Sequence, residues 1–209
     1  MLTGVELLCH SSIRFSKSLK IYVDPFKINN ESHDADLIFC THSHYDHFSE
    51  EDILKIKNFN TYLVATEDIL AKAILIGFPE NRIIVVEPDN SYEILGVKFE
   101  TVHSYNIDKQ YHPFENEWGG YIITLGGIRY YIAGDTDITP EAKEVKCDVA
   151  FVPVGGRYTM NAKEAASLVN TIEPKIAVPT HYGDIVGSPL DAETFVKLVK
   201  EDIETKRYF

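Results

Sequence analysis

The tract Thr41-His42-Ser43-His44-Tyr45-Asp46-His47-Phe48 constrains this chain more than any other segment. Three of the eight histidines fall within six residues, with an aspartate among them. On a helix, residues two apart face nearly opposite ways, so His42 and His44 could not share an ion there. In an extended loop, residues two apart point to one side. His42, His44 and Asp46 then converge, while adjacent Asp46 and His47 diverge. One such loop can feed two neighbouring metal positions. Imidazole and carboxylate together suit zinc, manganese or iron.

The rest of the pattern supplies a frame for that loop. Val5–Cys9, Ile13–Phe15 and Lys20–Val23 read as short strands, the third closed by Asp24-Pro25. Asp36–Cys40 is an apolar run ending at the histidine tract. Ser49 caps a helix with Ile53, Leu54 and Ile56 on its apolar face. Tyr62–Ala65 reads as a strand. Thr66 opens a helix carrying Ile69, Leu70, Ala73 and Ile74, and Gly77 ends it. Ile83–Val86 and Val97–Val102 are strands. Tyr121–Leu125 and Ile128–Ala133 form a hairpin across Gly126-Gly127. Asp148–Val152 and Lys175–Pro179 read as buried strands. Asn161 with Glu164 resembles a capping box for a helix through Ile172. Asp191 caps the last helix, with Phe195, Leu198 and Val199 inward. Strands and helices are interleaved throughout, which fits an α+β fold of two sheets packed face to face with helices outside.

No linker, repeat or low-complexity segment divides the chain, so one domain over residues 1–209 is expected. No apolar run is long enough to span a membrane, and the N-terminus does not read as a secretory signal. Cys9, Cys40 and Cys147 are widely spaced in apolar surroundings and read as buried, reduced thiols of a cytoplasmic protein. The 20 Lys and Arg against 32 Asp and Glu leave a net charge of −12. Such a surface repels phosphate backbones, which argues against nucleic acid as a partner.

The tract resembles the H-x-H-x-D-H signature of the metallo-β-lactamase superfamily. Further segments agree in order along nearly the whole chain: Leu7–Phe15, Tyr22–Phe26 (YVDPF), Tyr130–Asp137 (YYIAGDTD), Val152–Met160 (VPVGGRYTM) and Val178–Gly183 (VPTHYG). They are similar to the small-hydrolase branch related to L-ascorbate-6-phosphate lactonase and, more remotely, to N-acyl-phosphatidylethanolamine phospholipase D. The resemblance implies a four-layer αββα sandwich with two divalent ions, zinc or manganese, iron being admissible. It implies His42 and His44 on the first metal, Asp46 and His47 on the second, Asp135 bridging, and His181 completing the second.

The third ligand of the first metal lies between two candidates. His103 directly follows the strand Val97–Val102 and is favoured as the ligand. His112, in Tyr111-His112-Pro113, then contacts metal or substrate in a catalytic role, beside Asp46 as the residue that orients the nucleophile. Tyr105, Asn106 and Trp118 are expected to line a substrate pocket. His10, in Cys9-His10-Ser11-Ser12, reads as supporting or structural, and His33 as an ordinary loop histidine.

The implied activity is metal-dependent hydrolysis of a small ester-type substrate, a lactone or phosphodiester, by a metal-bridged hydroxide. The expected partner is that small molecule, with neither nucleic acid nor membrane involved and a homo-oligomer allowed. Three rivals share the fold. One is a mononuclear iron oxygenase such as a persulfide dioxygenase. Another is a non-catalytic metal-dependent binding or regulatory module. The third is an RNA-processing nuclease, which the acidity opposes.

Overall fold

Parallel strands present their carboxyl ends along one edge of a sheet, and both sheets of this protein use that edge to carry the chemistry-bearing residues. The computed structural model describes residues 1–209 and divides into two units, Leu2–Glu87 and Pro88–Phe209 with Met1.

In the first unit, six strands pair in sequence order: β1 (Val5–Cys9), β2 (Ser12–Ser16), β3 (Lys20–Val23), β4 (Leu37–Phe39), β5 (Tyr62–Ala65) and β6 (Ile83–Val85). The first two junctions are antiparallel and the other three parallel. β1, β3 and β4 therefore run the same way. Their carboxyl ends lead into His10, Asp24 and the Thr41–Phe48 tract respectively. Helix α1 (Glu50–Ile56) is capped by Ser49, whose side chain accepts from the Asp52 amide. α1 buries Ile53 and Ile56 with Ile38, Leu63 and Ala73, the last from helix α2 (Leu70–Leu75). β4 and β5 are apolar along their whole length, and the side chains on one of their faces, Ile38 and Leu63 among them, pack under these helices.

In the second unit the sheet order is β13-β12-β11-β10-β9-β8-β7. These strands are β7 (Ser91–Ile94), β8 (Val97–His103), β9 (Gly119–Leu125), β10 (Ile128–Ile132), β11 (Val149–Pro153), β12 (Ile176–Thr180) and β13 (Glu204–Thr205). β10 to β13 are parallel to one another, and β7 to β10 are joined antiparallel. β8, β10 and β12 thus share a direction, and Ser104, Asp135 and His181 lie just beyond their ends. Helices α3 (Pro140–Glu144), α4 (Ala162–Ile172) and α5 (Pro189–Leu198) accompany this sheet. Ala165, Leu168, Val169, Ala192 and Phe195 join Tyr131, Ala150 and Val152 in its core.

Several sequence expectations need correction. Thr66 makes no capping bond; a single turn of tight helix, Glu67–Ile69, precedes α2. The last helix is capped by Ser188, with Asp191 three residues on returning the capping-box bond. Leu54, Ile74 and Leu198 are exposed, so the apolar stripes are narrower than their periodicity suggests. β7 and β13 carry too little apolar pattern to be foreseen. The expected Asn161–Glu164 capping box is present. Cys40 is buried, but Cys9 and Cys147 are only half-buried, and no disulfide joins any of them. No helix is long and apolar enough to cross a membrane.

Candidate functional site

The histidine tract is a turn rather than an extended loop. The amides of His47 and Phe48 both donate to the His44 carbonyl, at 3.0 and 2.7 Å. This compaction reverses one expectation: Asp46 and His47 do not diverge, because Asp46 Oδ2 lies 3.6 Å from His47 Nε2. His42 and His44 do converge, with Nε2 of the first 3.0 Å from Nδ1 of the second.

Asp24 organises this turn. Its carboxylate accepts from the Thr41 amide and the Thr41 hydroxyl, both at 2.8 Å. It also accepts from His47 Nδ1 at 2.7 Å. A carboxylate offers only acceptors, so His47 carries a proton on Nδ1, and in the neutral ring its Nε2 presents a lone pair toward Asp46. The Thr41 hydroxyl has spent its proton on Asp24. It can then only accept from His42 Nδ1, 3.0 Å away, which leaves the His42 Nε2 lone pair facing His44. Both tautomers are thus set by one fully buried carboxylate. Asp24 also sits at φ +46°, a left-handed conformation uncommon for a non-glycine residue. Sequence reasoning read it only as the end of a strand. Its buried charge also helps raise the neighbouring Cys40 thiol well above its usual range, after burial itself.

In the second unit, Asp135 follows β10 after Gly134, whose φ of +66° turns the chain. Asp135 Oδ2 lies 3.0 Å from His181 Nε2 and 3.3 Å from His112 Nε2. All three side chains are buried. His181 adopts φ +55°, and its carbonyl presses on Gly155, where a Cβ would sit 2.3 Å away. That approach accounts for a glycine at this point of the V-P-V-G-G segment. His112 Nδ1 donates to Asn106 Oδ1 at 3.0 Å and to the Tyr158 carbonyl at 3.2 Å. In the neutral ring its Nε2 then turns a lone pair toward Asp135.

His103 is placed differently. Its Nε2 donates to the Phe114 carbonyl at 3.1 Å, and its ring packs on Phe114 and Tyr105. Of the two histidines, His112 is the one that stands beside Asp135. Tyr105 and Asn106 line an open cavity together with Ile107, Pro113 and Phe114, and each is also engaged with neighbouring residues. Asn106 is engaged with His112 and donates to Tyr158. The Tyr105 hydroxyl donates to Glu141 at 3.0 Å. Burial, and then that bond, raise the Tyr105 pKa and keep it a phenol. Trp118 is buried with its ring edge-on to His112, 5.6 Å between centroids. His33 is an exposed loop residue, as read from sequence, held by the Lys57 carbonyl and Glu31.

The donor sets fit a divalent cation. Two ligands bonded at ~2.1 Å to one ion stand roughly 3.0–3.5 Å apart. The pairs His42/His44, His112/Asp135 and His181/Asp135 lie at 3.0, 3.3 and 3.0 Å. His112 Nε2 and Asp135 Oδ2 are both acceptors in the tautomer that Asn106 imposes. Such a pair, buried at this distance, calls for a cation.

Comparison with known proteins agrees with this chemistry. A family model described as "Beta-lactamase superfamily domain" matches residues 5–181. A relative from Thermococcus onnurineus, named UPF0173 metal-dependent hydrolase, is 32% identical over 96% of this chain and 93% of its own length. A crystal structure from Parabacteroides distasonis superposes with a TM-score of 0.82 at 29% identity, covering 97% of this chain and 91% of that one. The metallo-β-lactamase fold protein YhfI from Bacillus subtilis, at 13% identity, matches in fold with a TM-score of 0.72 over 96% of this chain and 88% of its own. The chain has the metallo-β-lactamase fold and belongs to the β-lactamase superfamily domain family, among the UPF0173 metal-dependent hydrolases.

Proposed function

We propose that the protein binds two divalent ions, zinc or manganese, and that it hydrolyses a small ester-type substrate. In this reading His42, His44, Asp46 and His47 are the metal ligands of the first unit, and His112, Asp135 and His181 those of the second. The observation that carries it is the position of Asp135 Oδ2, 3.3 Å from His112 and 3.0 Å from His181. A single carboxylate oxygen flanked by two imidazoles from separate segments is what a shared ligand requires.

When bound, such ions acidify a coordinated water to a pKa of ~7 and offset charge on the substrate oxygens. The protein's own part is to aim the donors. Asp24 and Asn106 hold His47 and His112 in the tautomers that leave Nε2 to the ion. In this reading Asp46 would orient the attacking water.

A small substrate is supported by an open cavity of about 800 Å³ in the first unit, lined by Phe26, Ser43, His44, Tyr45 and Lys72 among others. Its size is that of a small-molecule site. The net charge of −12 again opposes nucleic acid. The resemblance of the sequence motifs to a lactonase branch supports a lactone or a phosphodiester as that substrate. A cytoplasmic location is proposed on the three thiols without a disulfide.

The experiment is activity profiling of zinc- and manganese-loaded protein on lactones and phosphodiesters, with metal counted by elemental analysis. Two ions per chain and turnover that disappears in Asp46→Ala are expected. Full metal content with no turnover would favour a binding module. A single iron per chain would favour an oxygenase.

A further inference from the structure

We propose that His10 is an additional protein ligand of the metal position served by Asp46 and His47. The inference rests on the metal reading above and adds a donor from outside the H-x-H-x-D-H tract.

His10 is the first central residue of the two-residue turn between β1 and β2, where Cys9 pairs with Ser12. Its φ is +51°. Hairpin turns place glycine or asparagine at such positions, because a Cβ there costs about 1–2 kcal/mol. A histidine in that place is disfavoured locally and would ordinarily extend into solvent. His33 shows the ordinary outcome. It also has a positive φ, +47°, but its side chain is exposed. The His10 side chain is instead buried, at 1% exposure.

The direction of burial is informative. β1 and β3 are parallel in direction, so His10 and Asp24 leave their strands at the same edge of the sheet. The Phe26 amide donates to Ser12 Oγ at 3.3 Å and ties the turn to the Asp24–Phe26 segment. The Phe26 ring meets the His10 imidazole edge-on, 6.3 Å between centroids. The imidazole so held brings Nε2 to 3.4 Å from Asp46 Oδ2. His47 Nε2 lies 3.6 Å from that same oxygen. One carboxylate oxygen therefore faces two imidazole nitrogens at nearly equal distances. Whatever qualifies His47 as a co-ligand of Asp46 by position qualifies His10 equally. A strained backbone that persists with its side chain aimed at a functional cluster is the pattern expected where strain serves function.

The test compares full-length wild type with His10→Asn, which tolerates the left-handed turn but is too short to reach the ion. Zinc affinity is measured by competition with a chromophoric chelator. The ligand field is read from the visible spectrum of the cobalt(II)-loaded protein. Affinity for one ion is expected to fall by at least ~10-fold, with a changed cobalt spectrum and the other ion retained. His33→Asn, with the same φ but an exposed ring, is the control and should match wild type. If His10→Asn does not fold, His10→Gln provides the same two readouts. Wild-type affinity and spectrum in the folded variant would overturn the assignment while leaving the metal reading intact. A wild-type protein that binds no divalent ion would overturn both.

Discussion

Asn106 and His112 clasp each other across a short loop. The Asn106 amide donates to the His112 carbonyl at 2.7 Å, and Asn106 Oδ1 accepts from the His112 amide at 3.1 Å and from His112 Nδ1 at 3.0 Å. The clasp sets both the position and the tautomer of His112. Asn106→Ala removes the side-chain half of it. We expect metal affinity to drop about 10- to 100-fold, the usual cost of losing support behind a metal-bound histidine. Isothermal titration with zinc checks this, and a change under about threefold would count against the clasp.

The proposed reading gives His112 the ligand role and leaves His103 outside the site. His112→Ala is expected to lose one ion and its activity. His103→Ala is expected to keep both ions, because its Nε2 is engaged by the Phe114 carbonyl and its ring packs on Phe114 and Tyr105. Elemental analysis of the two variants after equal loading decides between them. Retention of both ions by His112→Ala would return the ligand role to His103.

Asp24 tests whether the site is supported from beneath. Asp24→Ala leaves the Thr41 amide, the Thr41 hydroxyl and His47 Nδ1 without their acceptor. Removing one member of a buried charged network costs about 3 kcal/mol. That corresponds to a Tm lower by roughly 6–12 °C in a chain of this size. A metal-free thermal melt separates this fold effect from metal loss. A melt within about 2 °C of wild type would show the network to be dispensable.

Cys147 makes a prediction about pH. Burial, then the nearby Asp148 charge, push its pKa up from 9.0 to about 12. A thiol whose folded pKa lies above its unfolded value favours the folded state below the unfolded pKa. That contribution is lost as pH rises from about 9 toward 12. Cys147→Ala should therefore lose less stability than wild type between those limits. Alkylation of Cys147 at pH 8 should run on the order of a thousandfold slower in folded than in unfolded protein, read by mass spectrometry. Equal rates in the two states would contradict the shift.

The sequence by itself determined the chemistry and most of the frame. Short apolar runs bounded by turn residues marked β1, β3, β5 and the β9–β10 hairpin, and the Asn161 capping box marked α4, because these signals need only neighbours in the chain. The clustering of His42, His44, Asp46 and His47 announced metal chemistry for the same reason. What only the tertiary structure decided is which distant residues share an edge. His10, Asp24 and the histidine tract follow three different strands, and they meet because β1, β3 and β4 run the same way. Strand direction depends on pairing partners far along the chain, so no local pattern could reveal that Asp24 sets the tautomer of His47. The choice of His112 over His103 has the same origin. Both precede Asp135 in the chain, but only the loop closed by Asn106 brings a ring nitrogen to it, and side-chain closure of a loop leaves no periodic trace in sequence.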